Sequence, residues 1–280
     1  MERLKLGIIG LDSTHFDAFY KIIKGNKVKL DIFYLYDDSI KVRERRVMEY
    51  PELRNHFHDE PYNCDCFMIL NRFGDDHLKA FNKVAAYGKP TFIDKPIANN
   101  YQNAKEIYKL AKSYKTPITS HSPLEFSNEF YEAKSIYKRL LENQDSATII
   151  FSGPRECNDL GDDPRLKSAL FYGIHLSELL SNMLSDKSIK SIASTNDQRT
   201  TLLIKDEMFT FYIDLYGNGN EFYNITFYNN DIGFKSIDIK LDGSYYDDFV
   251  SHLINFFQKS DNYLNHEKSL NAMKILEEVI

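Results

Sequence analysis

Residues 6–19 read LGIIGLDSTHFDAF and join an apolar run to a predicted helix through a turn at Gly10. A strand, a tight glycine turn and a helix in this order open many dinucleotide-binding domains. The fingerprint of such domains, G-x-G-x-x-G, would place glycines at 10, 12 and 15. This chain has Gly10, Asp12 and His15 at those positions. The stretch therefore predicts the fold and leaves the ligand open.

The two replaced glycines allow two interpretations of the turn. In the first, Asp12 stands where the backbone should approach a pyrophosphate, and its charge repels that group by roughly 1 kcal/mol at about 4 Å in water. In the second, Asp12, Ser13 and Thr14 cap the helix, whose N-terminus attracts phosphate. The hydroxyls of Ser13 and Thr14 then bind the phosphate, and a protonated His15 offsets Asp12. We predict that these residues, with Gly10, contact a cofactor.

Short apolar runs alternate with helical patterns over about the first 120 residues, which is typical of βαβ units. Strands are predicted at Lys5–Ile9, Leu30–Tyr36, Cys64–Leu70, Thr91–Ile93 and Ile118–Ser120. Helices are predicted at His15–Ile23, Ile40–Glu49, Asp76–Tyr87 and Tyr101–Ser113. This pattern predicts an α/β fold in which residues 1–121 form a Rossmann domain with a doubly wound parallel sheet.

The second half is richer in β-branched and aromatic residues, and several of its runs alternate with period two. Strands are predicted at Ala147–Ser152, Ile189–Ala193, Thr200–Lys205, Phe209–Tyr216, Phe222–Tyr228 and Phe234–Lys240. Helices are predicted at Leu166–Met183, Tyr246–Lys259 and Glu267–Val279. The separators KDEM, GNGNE and NNDIG are typical of hairpin turns. We therefore predict that residues 122–280 form an α+β domain on a mostly antiparallel sheet, arranged as a meander.

Charge and composition argue against several classes of protein. The net charge is −6, with both signs interspersed, whereas nucleic-acid-binding surfaces carry a basic patch. No apolar run approaches the roughly 18 residues of a membrane span, and Asp12 interrupts the first run too early for a signal peptide. The three cysteines, Cys64, Cys66 and Cys157, are too few for a disulfide framework. We expect a cytoplasmic protein that binds neither nucleic acid nor membrane.

The stretch HFHDE contains His56, His58 and Asp59, which are residue types that bind metals. It lies in a polar connection without a partner cluster. A solvated loop is therefore the preferred interpretation, and no metal site is predicted.

The stretch GKPTFIDKP, residues 88–96, ends a predicted strand with Asp94, Lys95 and Pro96. Ligands of open α/β sheets bind at the carboxyl ends of the strands. A lysine held there beside a carboxylate can donate to a substrate oxygen. From position alone, a surface lysine that pairs with Asp94 is the preferred interpretation.

Three stretches together resemble the Gfo/Idh/MocA family, named after glucose–fructose oxidoreductase and inositol dehydrogenase. GKPTFIDKP resembles the family motif G-K-x-V-x-x-E-K-P, with Asp94 for the glutamate. ILNRFGDDHLKAF resembles its cofactor-contacting loop and following helix, with Asn71, Arg72 and His77. YGIHLSELL resembles its G-x-H-x-x-D segment, with Gly173, His175 and Glu178. The order and spacing of the stretches carry the resemblance over nearly the whole chain.

The resemblance implies roles for residues in each stretch. Lys95 would hold the reacting oxygen, and His175 would act as general acid or base, since histidine titrates near neutral pH. The family carries an aspartate four residues before that histidine, where this chain has Phe171, so the usual proton relay is altered. Tyr172 is adjacent and carries a hydroxyl. The implied cofactor contacts are Gly10, Asp12, Ser13, Thr14, His15, Asp37, Asn71, Arg72, His77, Asp94, Lys95 and Pro96.

Asp37 and Asp38 follow the second predicted strand, where an acidic residue binds the adenosine ribose and favours NAD over NADP. A turn pair that precedes a helix capped by Ser39 is an equally good interpretation. We expect NAD, with NADP as an alternative.

The resulting hypothesis is an NAD(P)-dependent oxidoreductase that acts on a hydroxyl or carbonyl of a sugar, polyol or related small molecule. The alternative is a non-catalytic small-molecule-binding or regulatory protein that keeps the fold. Polar residues at the domain crossover and in the loop 152–165 are further candidates for substrate contact, namely His121, Ser122, Glu125, Arg155 and Arg165. The aromatic-rich sheet exceeds what one helix layer covers, so we expect a homo-oligomer, a dimer or tetramer formed through that sheet.

Overall fold

A computed structural model describes residues 3–25, 28–61, 63–155, 163–184, 191–196, 198–217, 221–259 and 266–279. The chain divides into two compact units. The first unit comprises Met1–Ser120 with Tyr246–His266, and the second comprises His121–Tyr245 with Glu267–Ile280. The division after Ser120 lies beside the predicted boundary, but a late segment that the sequence analysis gave to the second domain packs within the first.

The first unit is built on a parallel sheet of five strands in the order β2-β1-β3-β4-β5. Its elements are β1 (Leu4–Ile9), α1 (Thr14–Lys24), β2 (Leu30–Tyr36), α2 (Ile40–Glu49), β3 (Cys66–Ile69), α3 (His77–Val84), β4 (Thr91–Ile93), α4 (Tyr101–Tyr114) and β5 (Ile118–Thr119). This strand order belongs to the doubly wound α/β folds, so the predicted fold class is confirmed. The order reverses beside β1, and such folds bind ligands at the carboxyl ends of the strands there.

Helix α1 shows why this part of the sequence folds as it does. Its buried residues, Phe16, Phe19, Tyr20 and Ile23, follow the 3.6-residue period of an amphipathic helix. The strand β3 is buried along its whole length, as a central parallel strand requires. The turn after β1 is thereby held by a well-packed helix, α1, and a well-packed strand, β3.

The second unit contains a six-stranded sheet in the order β11-β10-β6-β9-β8-β7. The elements after β5 are α5 (Asn128–Asn143), β6 (Ala147–Pro154), α6 (Ala169–Ser181), β7 (Ser191–Thr195), β8 (Arg199–Lys205), β9 (Phe209–Tyr216), β10 (Tyr223–Asn229), β11 (Gly233–Ile239), α7 (Tyr245–Lys259) and α8 (His266–Leu276). The sheet is mostly antiparallel, as predicted, but β6 pairs with β9 in parallel.

The predicted meander is wrong in one place. Strand β6 lies between β9 and β10, so these two strands do not pair; most of GNGNE, the turn predicted between them, lies outside the described residues. KDEM and NNDIG do connect antiparallel neighbours, β8 to β9 and β10 to β11. Local turn signals are similar in all three cases, and the choice of partner depends on β6, which lies far away in sequence.

Helix α5 has no counterpart among the predicted elements. Ser127 caps it by accepting a hydrogen bond from the backbone N–H of Phe130, and Phe130, Ala133, Tyr137 and Leu140 form its buried side. Helix α7 belongs mostly to the first unit, where Phe249 packs against Phe19 of α1 and Phe92 of β4, with ring centroids 5.7 and 5.5 Å apart. Among the described helices, none is long and apolar enough to cross a membrane.

Candidate active site

The turn after β1 requires glycine at position 10. Gly10 has a φ of +83°, and a Cβ atom there would lie 2.3 Å from the backbone nitrogen of Asn71. The Gly10 N–H donates to the carbonyl of Tyr36 at 2.9 Å. The turn thus fits tightly between the ends of β2 and β3, which places it at the sheet edge where ligands bind.

Asp12 does not present a bare carboxylate. Its Oδ1 lies 2.6 Å from Nη2 of Arg45 and 3.9 Å from Nη2 of Arg72. Nε of Arg72 also donates to the backbone carbonyl of Asp12 at 2.8 Å. The hydrogen bond to Asp12 raises the pKa of Arg45 above its ordinary value, so this guanidinium stays charged. The expected repulsion of phosphate is therefore reduced by two guanidinium groups.

Helix α1 begins directly after this carboxylate. Ser13 is buried, and its Oγ accepts a hydrogen bond from the Phe16 N–H at 3.2 Å. Thr14 is the first helical residue and is exposed. The helix N-terminus is thus capped at Ser13, and the Thr14 hydroxyl is accessible to a ligand.

Arg46 holds the same turn from α2 and was missed by the sequence analysis. Its buried guanidinium donates to the carbonyls of Leu11 and Ser13, at 2.8 and 3.3 Å, and pairs with Asp17 at 2.7 Å. Its partners in the turn and in α1 are distant in sequence, so no local pattern marks this role of the arginine. It keeps the turn in one conformation.

Asp37 stabilises the turn after β2, because both of its carboxylate oxygens accept hydrogen bonds from the backbone. It is buried, and its two carboxylate oxygens accept the backbone N–H groups of Leu11 and Ser39, each at 2.8 Å. Asp38 is exposed and pairs with Lys79 at 2.7 Å, and that hydrogen bond lowers the pKa of Asp38. A contact between Asp37 and a ribose stays a prediction.

His77 joins the loops that follow β3 and β4. Its ring is fully buried, with Nδ1 2.9 Å from the Pro96 carbonyl oxygen and Nε2 2.9 Å from that of Asn71. The ring fixes these two loops to each other, and a contact between His77 and a cofactor stays a prediction.

His15 lies close to Asp94, and this pairing is the main surprise of the first unit. His15 Nδ1 is 2.6 Å from Asp94 Oδ2, while Asp94 Oδ1 accepts the backbone N–H of Lys95 at 2.8 Å. Burial opposes ionisation of Asp94, but the charge and hydrogen bond of His15, with Lys95 and His77 nearby, lower its pKa below the ordinary value. Lys95 is itself buried. His15, at the third position of the fingerprint, is thus hydrogen-bonded to Asp94, the first residue of the D-K-P segment.

The second unit holds His175 in a buried polar cluster. Nδ1 of His175 lies 2.6 Å from Oγ of Ser122. The Ser122 N–H donates to Glu125 Oε1 at 3.2 Å, and Glu125 Oε2 lies 3.1 Å from Nδ1 of His121. All four residues are less than one-tenth exposed. The segment 121–125 therefore supplies His175 with the polar partner that Phe171 does not.

The remaining residues of α6 pack around His175. Gly173 allows the helix to approach β9, because a Cβ there would lie 2.8 Å from a methyl group of Leu215. The ring of Tyr223 meets that of His175 edge-on, with centroids 5.4 Å apart. Tyr172 is half-buried and its ring centroid is 6.5 Å from that of His175. Phe171 is buried, as is Glu178.

The other candidates contact different residues. Arg165 forms a bidentate pair with Asp163, and Arg155 donates to the carbonyl of Asn196 at 2.9 Å. Cys157 lies outside the described residues. His58 and Asp59 are exposed, as a solvated loop requires. Within the described ranges, no three metal-binding side chains come together.

Comparisons with known proteins place the fold. No protein-family model and no curated protein sequence matches the chain. Solved structures that share its fold include GenD2 from gentamicin A biosynthesis in complex with NAD, with a TM-score of 0.78, 12% identity, and coverage of 99% of this chain and 93% of that one.

Two further structures resemble the chain over similar lengths. One is a Gfo/Idh/MocA family oxidoreductase from Vibrio cholerae, with a TM-score of 0.73 and 16% identity. The match covers 98% of this chain and 96% of the Vibrio cholerae chain. The apo scyllo-inositol dehydrogenase from Lactobacillus casei has a TM-score of 0.77 and 13% identity, and covers 100% and 96%. The fold implied by the sequence resemblance is thus confirmed.

Proposed function

We propose that this chain is an NAD(P)-dependent oxidoreductase of the Gfo/Idh/MocA type. It transfers a hydride between nicotinamide and a hydroxyl or carbonyl of a sugar, polyol or related small molecule. The hydrogen bond between His15 and Asp94 carries the proposal, because it joins the turn expected to bind phosphate to the residue before Lys95. The likeness to GenD2 in complex with NAD and to an inositol dehydrogenase supports it.

The residues present fit a dinucleotide. Gly10 keeps the turn tight, Ser13 and Thr14 lie at the N-terminus of α1, and Asp12 is paired with Arg45. Helix N-termini of this kind bind pyrophosphate. NAD is the preferred cofactor and NADP the alternative. When bound, the nicotinamide accepts or supplies the hydride.

Lys95 and His175 are the proposed catalytic residues. The Lys95 ammonium holds the reacting oxygen, where its charge stabilises a developing alkoxide or polarises a carbonyl. His175 exchanges a proton with that oxygen, and the hydroxyl of Tyr172 assists. Asp94, paired with His15, fixes the backbone of Lys95.

The first test is a calorimetric titration of the purified protein with NAD, NADH, NADP and NADPH. We expect one redox pair to bind, which would also select the cofactor for a substrate screen. If none of the four binds, the non-catalytic binding protein becomes the better description.

Replacing Lys95 by alanine tests the catalytic assignment. Lys95→Ala should abolish turnover and leave the thermal unfolding midpoint nearly unchanged. Lys89→Ala, an exposed lysine at the other end of β4, is the matched control and should keep full activity. Turnover that survives in Lys95→Ala contradicts the assignment.

A cytoplasmic homo-oligomer completes the proposal. Large apolar side chains lie exposed on strands of the second sheet, among them Ile192, Tyr228 and Phe234. Such patches commonly mark interfaces between subunits. Light scattering at micromolar concentration should give a dimer or tetramer, and a monomer would contradict this part of the proposal.

A further inference from the structure

The hydroxyl of Ser122 has few hydrogen-bonding choices. Its Oγ accepts the backbone N–H of Leu124 at 3.2 Å and, in a capping box, the backbone N–H of Glu125, and it lies 2.6 Å from Nδ1 of His175. Ser122 is completely buried. A serine hydroxyl has one proton to donate and two lone pairs that accept.

The contact with Leu124 determines the direction of the hydrogen bond between Ser122 and His175. The Leu124 N–H is a donor and occupies a lone pair of Oγ. The hydroxyl proton then has Nδ1 of His175 as its acceptor. If Nδ1 carried a proton instead, Oγ would face three donors with two lone pairs, and its own buried O–H would be left without an acceptor, which is costly. The network therefore favours a neutral His175 with its proton on Nε2.

Neighbouring residues keep Ser122 and the ring in place. The Ser122 N–H donates to Glu125 in a capping box, and Glu125 is also within hydrogen-bond distance of His121. The ring of Tyr223 packs edge-on against His175. Both the hydroxyl and the imidazole are thus restricted to one arrangement.

We propose that Ser122 is a positioning residue that fixes the neutral His175 as the tautomer protonated on Nε2. In this form Nε2 donates a hydrogen bond and does not accept a proton. The neutral ring is then suited to bind a carbonyl oxygen. It acts as a base at Nε2 only as the other neutral tautomer, with its proton on Nδ1, which requires the Ser122 hydroxyl to rotate so that its oxygen accepts that proton in a hydrogen bond. The consequence for catalysis rests on the proposed function, whereas the tautomer does not.

Nitrogen NMR of the histidine-labelled full-length protein, without ligand, tests the tautomer directly. Spectra are recorded at alkaline pH, where an ordinary histidine is neutral. His175→Gln identifies the His175 signals by their loss. We expect Nε2 to resonate as a protonated nitrogen and Nδ1 as an unprotonated one. A proton on Nδ1, or an averaged mixture of tautomers, in the unsubstituted protein would overturn the proposal.

Two further variants separate positioning from general destabilisation. Ser122→Ala should move both His175 signals toward the averaged position of a free imidazole, and Ser122→Thr, which keeps the hydroxyl, should restore their separation. Ser127→Ala is the control, because Ser127 is a buried helix cap on the same loop. If Ser127→Ala shifts the His175 signals as far as Ser122→Ala, the effect is structural and the proposal is wrong. Failure of nucleotide binding would leave this result unaffected.

Discussion

The β1–α1 turn and the surroundings of His175 each lack residues of the family motifs, and each has a different replacement. In the turn, Asp12 and His15 stand for glycines, and each pairs with a charged residue, Arg45 and Asp94. At His175 the missing partner is replaced by a hydroxyl, that of Ser122. At the turn, which is expected to bind phosphate, the charges of the replacing side chains must be neutralised by partners. At His175, which is proposed to transfer a proton, one hydrogen-bond donor and one acceptor must be defined.

The largest expected effect comes from breaking the turn itself. Gly10→Ala combines a left-handed backbone with a collision against Asn71, and should destabilise the first unit by about 2–4 kcal/mol. It should also abolish nucleotide binding. Urea unfolding followed by calorimetric titration measures both effects.

Gly88→Ala is the matched control for that variant. Gly88 also has a positive φ, of +63°, but an added Cβ there would come no closer than 3.7 Å to a neighbour. It should cost about 1 kcal/mol, the strain of the conformation alone. Equal losses in the two variants would show that close packing against Asn71 does not matter.

Breaking the His15–Asp94 pair should have an intermediate effect. His15→Gln leaves a buried carboxylate without its partner and should cost about 2 kcal/mol near neutral pH. Because the folded protein lowers the pKa of Asp94 below its ordinary 3.8, the stabilisation is complete above that pH and is lost as the pH falls through the lowered value. Thermal melts between neutral and acidic pH should therefore show the two proteins converge in acid.

The exposed His58→Gln serves as the control and should follow the unsubstituted protein at every pH. A His15→Gln deficit that persists unchanged below the acid transition would show that the ring packs there without pairing with Asp94.

The smallest effect on stability is expected at Asp12. Asp12→Asn removes an exposed ion pair, so the free energy of unfolding should change by less than about 1 kcal/mol. Arg45 and Arg72 become available to a phosphate, and NAD affinity should rise by about fivefold at low salt. The gain should shrink as salt is added. Asp59→Asn, also exposed, should change neither quantity.

Weaker NAD binding by Asp12→Asn would reverse the comparison. It would mean that the carboxylate helps to form the binding turn through its ion pairs with Arg45 and Arg72. Its charge would then not weaken NAD binding.

Local patterns predicted most of the elements but few of the partnerships. The bounds of β2, α2, β4 and β9 agree with the predicted ones, because apolar period and capping residues act over a few positions. Helix α5 has the same signals, with Ser127 as its cap, and could have been predicted. The insertion of β6 between β9 and β10 depends on contacts between distant segments, which no local pattern encodes.

The candidate site shows the same contrast: local motifs identified its residues, but not the pairings between them. Lys95 and His175 were found through motifs, and the structure gives both a buried position. The pairing of His15 with Asp94 spans 79 positions and that of Ser122 with His175 spans 53. Each of these residues was noticed in the sequence, but a hydrogen bond between distant positions becomes visible only when the chain is folded.

The return of helix α7 to the first unit affects how the protein is made. Phe19 and Phe92 emerge from the ribosome before any strand of the second sheet, whereas Phe249, which packs against both rings, follows that sheet. The first unit is therefore synthesised with this apolar surface uncovered until all six strands of the second sheet have been translated. Nascent chains halted before α7 should engage chaperones, and a fragment ending at Ser120 should aggregate when it is expressed alone.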